Sequence, residues 1–239
     1  MLSTVYALAF YLAGTLFAVG LVWRIAVYAR TPAPLKIPTM PAPTTRRGVV
    51  IRMIREVVLF ESLFKANKWI WILAWIFHAS LLLAFIRHLR YVQEPVWWWV
   101  ALLQPLGIYA GFAMIVGLIG LWIRRLMVER IRYISAPSDH LMLVLLLGIG
   151  ITGLMTNYVA RTDVIQLKGF VLGLMYFDWQ PLPADFTLLA HLTLVLALMI
   201  VFPISKLLHA PGVFFSPSRN QVDNARDKRH VTTWAKDVG

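Results

Sequence analysis

The chain contains no cysteine among its 239 residues. Without a thiolate it cannot bind an iron–sulfur cluster through cysteine, form a disulfide or attach haem covalently. Acidic residues are also scarce, at 11 against 23 Lys and Arg. Charged residues make up only 14% of the chain and hydrophobic residues 59%, with a mean hydropathy of +0.70. This composition excludes an ordinary soluble domain and predicts an integral membrane protein.

Five segments are long and apolar enough to cross a bilayer, which takes about 20 residues in a helix. These predicted spans are residues 2–28, 68–88, 98–122, 140–159 and 185–208. The first has no basic residue ahead of it and no small-residue cleavage site, so we expect a retained helix rather than a secretion signal. The predicted fold class is an all-α membrane protein, a five-helix transmembrane bundle.

The positive charges predict the orientation of that bundle. If the amino terminus lies outside, 19 of the 23 Lys and Arg fall on the inner side. The outer side then carries only Arg87, Arg90, Arg161 and Lys168. Cytoplasmic loops carry an excess of Lys and Arg, so we expect an outer amino terminus and a cytoplasmic carboxyl terminus in a bacterial or archaeal cytoplasmic membrane. The net charge of +12 is mainly a topology signal, and no nucleic-acid partner is expected.

Four histidines form two pairs on apolar segments, His78 with His88 on the second and His191 with His209 at the fifth. An imidazole in hydrocarbon needs a polar partner, and a low-spin haem iron takes one imidazole on each face. The predicted orientation pairs His78 with His209 around an inner haem and His88 with His191 around an outer haem. Because the chain lacks cysteine, both would be noncovalent haem b.

The helical spacing of the four histidines fits this arrangement imperfectly. His191 and His209 are 18 residues apart, five full turns, and are expected to project from one face of the fifth span. His78 and His88, ten residues apart, differ by roughly 80° around their axis. Ten residues climb about 15 Å and eighteen about 27 Å. Helix tilt and loss of helicity near His209 are expected to absorb part of this difference.

At these residues the chain resembles the gamma subunit of respiratory nitrate reductase, a membrane cytochrome b. Residues 191–211, HLTLVLALMIVFPISKLLHAP, resemble its last helix, whose haem ligands have the 18-residue spacing. Residues 77–88, FHASLLLAFIRH, have the ten-residue spacing of its second helix. The likeness extends over residues 77–211 and implies a quinone pocket beside the outer haem. The haem-iron ligands that it implies are His78, His88, His191 and His209.

Residues 209–226, HAPGVFFSPSRNQVDNAR, are similar to the tail of one branch of this family. That branch, DsrM, is the cytochrome b subunit of the membrane complex associated with dissimilatory sulfite reductase. The resemblance implies electron transfer between the quinone pool and a cytoplasmic iron–sulfur subunit resembling heterodisulfide reductase, with further membrane and periplasmic subunits. The expected role is an electron-transfer subunit of a quinol-linked oxidoreductase in sulfur metabolism. The alternative within this class is a nitrate-reductase-type or other quinol-linked complex.

Arg87 and Arg90 lie beside His88, where either a haem carboxylate or a quinone would be near. Arg87 stands where the resembled family has glycine, which puts direct transfer of its quinone pocket in doubt. A guanidinium suits the planar geometry of a carboxylate. Contact with a haem propionate or a lipid headgroup is therefore favoured over contact with quinone.

The expected domains are a haem-binding membrane domain, residues 1–210 with a cytoplasmic loop at 30–66, and a cytoplasmic tail, 211–239. The first part of the loop carries five prolines that oppose a continuous helix: Pro32, Pro34, Pro38, Pro41 and Pro43. Residues 49–64 mix charge with apolar residues at helical intervals. They would lie along the membrane surface or meet a partner, and the sequence favours neither.

Two further classes of function remain at this stage. A histidine-relay proton channel or transporter would be expected to place a carboxylate inside a span, but Asp139 and Asp185 lie at span starts. A structural anchor without haem would leave four imidazoles unexplained. His140, at the start of the fourth span, is expected to have a helix-start or interface role, and His230 to be solvated in the polar tail.

Overall fold

The computed structural model describes residues 1–33 and 35–224, which contain helices and no strand. The helices are α1 (Leu2–Arg30), α2 (Arg46–Val58), α3 (Glu61–Ala66), α4 (Lys68–His88), α5 (Trp98–Met127), α6 (Glu129–Tyr133), α7 (Pro137–Tyr158), α8 (Val164–Tyr176), α9 (Phe186–Val201), α10 (His209–Gly212) and α11 (Pro217–Asn220). Short 3₁₀ turns lie at Leu89–Tyr91, Phe202–Ile204, Lys206–Leu208 and Val213–Phe215.

Five helices are long and apolar enough to cross a membrane, which confirms the five predicted spans. They are α1, α4 with its following 3₁₀ turn, α5, α7, and α9 with its following 3₁₀ turn. The observed α4 has the predicted bounds, whereas α5 runs five residues further and α7 begins three residues earlier. The protein is therefore an all-helical, multi-pass membrane protein.

Side-chain caps fix where several helices begin. Thr45 accepts a hydrogen bond from the Gly48 N–H at 3.1 Å at the start of α2. At the start of α4 the side chain of Asn67 accepts a hydrogen bond from the Ile70 N–H, and at the start of α8 that of Asp163 accepts from the Ile165 and Gln166 N–H groups. Each cap satisfies a backbone donor that the first helical turn leaves without a partner.

The fifth span is not helical up to His209, contrary to the expectation of five uninterrupted turns. Helix α9 ends at Val201, and two 3₁₀ turns follow before His209. Pro203 lies in the first of these turns and is buried. Its ring removes a backbone donor and clashes with the preceding turn, which ends an α-helix. His191 and His209 therefore do not lie on one continuous α-helix, and the expected loss of helicity near His209 is confirmed, whereas their projection from one face stays a prediction.

The loop after α1 contains two helices where one helical stretch was predicted. Phe60, with φ of 50°, separates α2 from α3. The described part of residues 31–45 contains no helix, as its prolines predict, and Pro34 lies outside the described residues. Helix α8, between the fourth and fifth spans, was not predicted. At 13 residues it is too short to span a bilayer.

The chain forms two compact units. The first comprises Met1–Phe17 and Asn67–Val201. Within it α4 packs on α5, α5 on α7, and α7 on α9. Gly117 allows the α4 and α5 backbones to approach, because a Cβ there would lie 3.1 Å from the Leu73 carbonyl oxygen and the Phe77 nitrogen. A buried apolar cluster joins the start of α1 to α8 and α9: Ala7, Leu167, Phe170, Leu182 and Leu188.

The second unit comprises the described residues of Ala18–Ala66 and the chain from Phe202 to Asn224. Here α11 packs on α2, and Arg219 donates to Glu56 at 3.3 Å and to the Ser62 hydroxyl at 2.7 Å. The loop between the first two spans and residues 217–224 thus form one surface. Residues 225–239 lie outside the described residues, so the expectation for His230 does too.

Candidate functional site

Two of the four candidate ligands face each other inside the first unit. His88 is the last residue of α4, and His191 lies in the second turn of α9. Their ring centroids are 6.2 Å apart and their planes differ by 13°. This separation is too large for the rings to touch. The structure therefore brings together the two imidazoles that the sequence assigns to the outer haem.

Backbone carbonyls determine which nitrogen of each ring carries the proton. The Nδ1 of His88 lies 2.6 Å from the Ala84 carbonyl oxygen, and the Nδ1 of His191 lies 3.0 Å from that of Ile149. A carbonyl oxygen can only accept, so Nδ1 is the donor in both rings. The neutral rings then present Nε2 as the basic nitrogen, the state that a metal ligand needs. The Thr152 hydroxyl, 3.2 Å from the same His191 nitrogen, adds a second contact.

His78 and His209 have the same hydrogen-bonding pattern. Their Nδ1 atoms lie 2.7 Å from the Ala74 carbonyl oxygen and 2.9 Å from that of Lys206. His78 belongs to the first unit and His209 to the second, and the pairing of these two residues around an inner haem stays a prediction.

His140 differs from these four histidines in its proton position. Its Nδ1 accepts a hydrogen bond from the Trp122 indole N–H at 3.1 Å, so its neutral ring carries the proton on Nε2. Next to it, buried Asp139 pairs with Arg125 at 3.2 Å and accepts from the Ala136 N–H. These contacts tie α5 to the start of α7, in agreement with the helix-start role expected for His140.

The rings of His88 and His191 line a cavity of about 680 Å³ among α4, α5, α7 and α9. Glycines form part of its wall: Gly107, Gly111, Gly150 and Gly153. A Cβ on Gly153 would lie 3.0 Å from the Cε1 of His191, so a side chain there would press on the ring. The volume falls within the range of about 300–1,000 Å³ that is usual for ligand and cofactor sites.

One part of the cavity wall is rich in hydrogen-bond donors. Arg87, Arg90 and Arg161 all line it. Arg87 donates a hydrogen bond to the backbone carbonyl oxygen of Gln104 at 2.9 Å. Arg90 donates one to the side-chain oxygen of the same residue at 3.4 Å. Thr162 also lines the cavity, and its buried hydroxyl has no hydrogen-bond partner among the described residues. This wall suits a carboxylate or a carbonyl oxygen of a ligand.

Sequence reasoning had assigned no site role to Arg161 or Thr162. They follow the fourth span in a short loop, and Arg161 has a φ of 50°. Because they are far from His88 in sequence, the sequence alone could not show that they line the same cavity. The one available signal was the position of Arg161 among the few cations predicted on the outer side.

A second cavity, of about 590 Å³, lies in the second unit and includes His209. Tyr28, from the end of α1, lines it together with Lys206 and Phe215. The rings of Tyr28 and Phe215 are 6.0 Å apart between centroids. His209 therefore lies at the wall of an apolar and partly basic recess.

The residues around His88 and His191 fit a porphyrin iron. Metal–imidazole bonds of about 2 Å on both sides would place two ring centroids roughly 6 Å apart, close to the observed distance. Both rings present the basic nitrogen, and the glycine wall and the arginines suit a flat ligand with carboxylates. The described residues contain no group of three or more His, Asp or Glu that could hold a metal ion, so a closed protein-only metal site is not present among them.

Comparison with known proteins agrees with these features. The family described as nitrate reductase gamma subunit matches residues 60–222. A protein of Archaeoglobus fulgidus, named Hdr-like menaquinol oxidoreductase cytochrome b-like subunit, is 34% identical over 94% of this chain and 81% of its own length. A protein of the same name from Archaeoglobus profundus is 33% identical over 94% of this chain and 80% of its own length. The chain belongs to the nitrate reductase gamma subunit family.

Proposed function

We propose that this chain is a dihaem cytochrome b subunit that transfers electrons between the quinone pool and a cytoplasmic iron–sulfur subunit. The observation that carries the proposal is the pair of near-parallel imidazoles, His88 and His191, whose ring centroids lie 6.2 Å apart in the wall of a large cavity. Family membership supports it, because the resembled gamma subunit is a membrane cytochrome b. Haem b, when bound, supplies reversible one-electron transfer.

In this proposal the chain's own residues bind and orient the outer haem. His88 and His191 would hold the haem iron, and the carbonyls of Ala84 and Ile149 hold their rings by accepting the Nδ1–H bonds. Arg87, Arg90 and Arg161 would bind the haem propionates. Quinone contact at Arg87 or Arg90 is the less favoured assignment, since a guanidinium suits the planar geometry of a carboxylate.

His78 and His209 are the proposed ligands of the inner haem. Each directs Nδ1 at a backbone carbonyl, as the outer pair does, which supports the same ligating nitrogen. His209 lies in the unit that also contains the loop after α1 and the described part of the tail. That surface is the proposed route for electrons to a partner chain, because this chain has no cysteine for a cluster of its own.

The relatives support a finer assignment of substrate and partner. Their printed name indicates a menaquinol oxidoreductase with a likeness to heterodisulfide reductase. We propose menaquinol as the quinone, a heterodisulfide-reductase-like iron–sulfur subunit as the partner, and a DsrM-type role in sulfur metabolism within a larger complex. The proposed division is a membrane domain at residues 1–210 and a cytoplasmic tail at 211–239, with the amino terminus outside.

Among residues 1–33 and 35–224, no structural feature favours the transporter alternative. In the described spans the one carboxylate is Asp139, which lies in the first turn of α7 and pairs with Arg125. Ion-coupled transporters commonly place a carboxylate near the membrane midplane, and Asp139 does not lie there.

Stopped-flow spectroscopy of the native assembly tests the proposed function. Mixing the oxidised assembly with a menaquinol analogue should produce reduced b-type absorption bands within the turnover time. A His88→Ala variant should lose the outer component of this signal, whereas a His140→Ala variant should keep both. Absence of any b-type band on reduction would refute the proposal.

A further inference from the structure

Helix α2 has an exposed apolar face. Val50 and Ile54 are each 57% exposed, and Ile51 and Val57 are exposed as well. These residues recur at intervals of three and four, so they share one side of the helix. Such a continuous apolar surface on a connecting segment marks an interaction site.

The opposite side of α2 is occupied within its own unit. Val49 is buried, and Glu56 accepts hydrogen bonds from Ser62 and Arg219. Arg52 donates to the Thr39 carbonyl oxygen at 2.8 Å. These contacts fix the rotation of the helix, so the apolar face is directed away from α11.

The charges around the apolar face are basic. Arg46 and Arg55 are exposed beside it, and Arg47 is exposed at its amino-terminal end. The two glutamates of the segment are engaged elsewhere, Glu56 with Ser62 and Arg219, and Glu61 with Lys65. The hydrogen bond from Lys65 holds the pKa of Glu61 below its ordinary value, so this carboxyl stays ionised at neutral pH. An apolar face with a rim of arginines complements an anionic lipid surface.

Chain connectivity keeps α2 near the bilayer. Residues 31–45 join it to α1 and residues 59–67 join it to α4, and both of these helices are long enough to span a membrane. Even fully extended, the second connector reaches only about 30 Å. We propose that α2 lies in the headgroup region of the bilayer, with Val50, Ile54 and Val57 directed into the acyl boundary and Arg46, Arg47 and Arg55 on anionic phospholipid headgroups. This proposal does not depend on haem binding.

Because the chain has no native cysteine, single cysteines can report the depth of α2 directly. Ile54→Cys places a nitroxide on the apolar face, Val50→Cys repeats the measurement one turn away, and Thr44→Cys is the exposed control ahead of the helix. Each variant is purified with its accompanying subunits and placed in nanodiscs of phosphatidylglycerol or phosphatidylcholine. Electron paramagnetic resonance then compares the accessibility of the label to oxygen, which enters lipid, with that to a water-soluble nickel chelate.

In phosphatidylglycerol the ratio of oxygen to nickel accessibility at positions 54 and 50 should exceed that at position 44 by at least about threefold. Changing Arg46, Arg47 and Arg55 together to Gln should lower this ratio towards the control, and phosphatidylcholine should lower it in the unchanged chain. A ratio at both positions equal to that at position 44 would overturn the proposal. Exclusion of both reagents from both positions would also overturn it, because that result indicates a protein partner on the face.

Discussion

At the scale of single residues, proton position separates the candidate ligands from the remaining described histidine. In three of the candidate ligands, His78, His88 and His209, the Nδ1–H donates to a backbone carbonyl three or four residues earlier in the chain. The Nδ1–H of His191 donates to a carbonyl of α7. His140 instead accepts at Nδ1. The sequence predicts four haem ligands from the spacing of the histidines on apolar segments, and this assignment stays a prediction. It could not predict the proton positions, because these depend on ring orientation.

Removal of His191 should abolish one haem site and leave the other. We expect His191→Ala to lower the haem b content from about two to about one per chain, because each six-coordinate iron needs both imidazoles. The measurement is pyridine haemochrome absorbance per mole of purified protein. His140→Ala is the matched control, since it also removes a helical, hydrogen-bonded imidazole, and it should keep the full content. An unchanged content in His191→Ala would contradict the assignment of this ligand.

Arg161 should tune the potential of the outer haem. Reduction adds negative charge to the haem, so a nearby guanidinium stabilises the reduced form. Arg161→Gln should therefore lower the midpoint potential of one component in a spectroscopic redox titration and leave the other unchanged. Arg132→Gln, which removes an exposed cation of α6, is the control. A rise in potential, or no change, would show that Arg161 does not act on the haem.

At the scale of helices, the length and hydropathy of the spans were predictable, but their ends and contacts were only partly so. The N-cap Asn67 and the apolar run after it explain why α4 has the predicted bounds. Pro203 could have predicted the end of α9, but the prediction of the fifth span relied on the 18-residue spacing of the histidines instead. Helix α8 escaped prediction because its 13 residues are mostly apolar but too few to cross a bilayer.

The close contact between α7 and α9 at Gly153 should determine the position of the His191 ring. A Cβ at Gly153 would lie 3.0 Å from His191 Cε1, whereas one at Gly169 meets no atom closer than 3.9 Å. Gly153→Ala should therefore displace the imidazole and shift the low-temperature absorption band of one haem, or reduce its occupancy. Gly169→Ala, the same change inside another helix, should leave the spectrum intact and stabilise the protein by about 0.4–1 kcal/mol. Identical spectra for both variants would indicate that Gly153 does not position the ring.

At the scale of the whole molecule, the distribution of basic residues predicts which side of the membrane each proposed haem site lies towards. If the outer site oxidises quinol, the protons are released outside while electrons move towards the cytoplasmic side. The membrane location of the protein and the number of its spans can be predicted from sequence alone, because the length and hydropathy of the segments determine them. The cavity could not be predicted, because its wall combines residues of α4, α5, α7 and α9 with the loop after α7.

Turnover in sealed, right-side-out vesicles should acidify the external medium. The native assembly would be supplied with quinol and an electron acceptor for the partner subunit, and a pH dye would report the outer solution. The control is the same preparation with an uncoupler, which should abolish the pH change while turnover continues. Turnover without external acidification would refute the proposed direction.

The haem content of the purified, unmodified protein tests the central claim most directly. Pyridine haemochrome spectra, normalised to protein by quantitative amino-acid analysis, should give about two haem b per chain, since each pair of imidazoles binds one iron. A preparation that is folded and intact but contains no haem b would contradict the proposal that His78, His88, His191 and His209 form two haem sites.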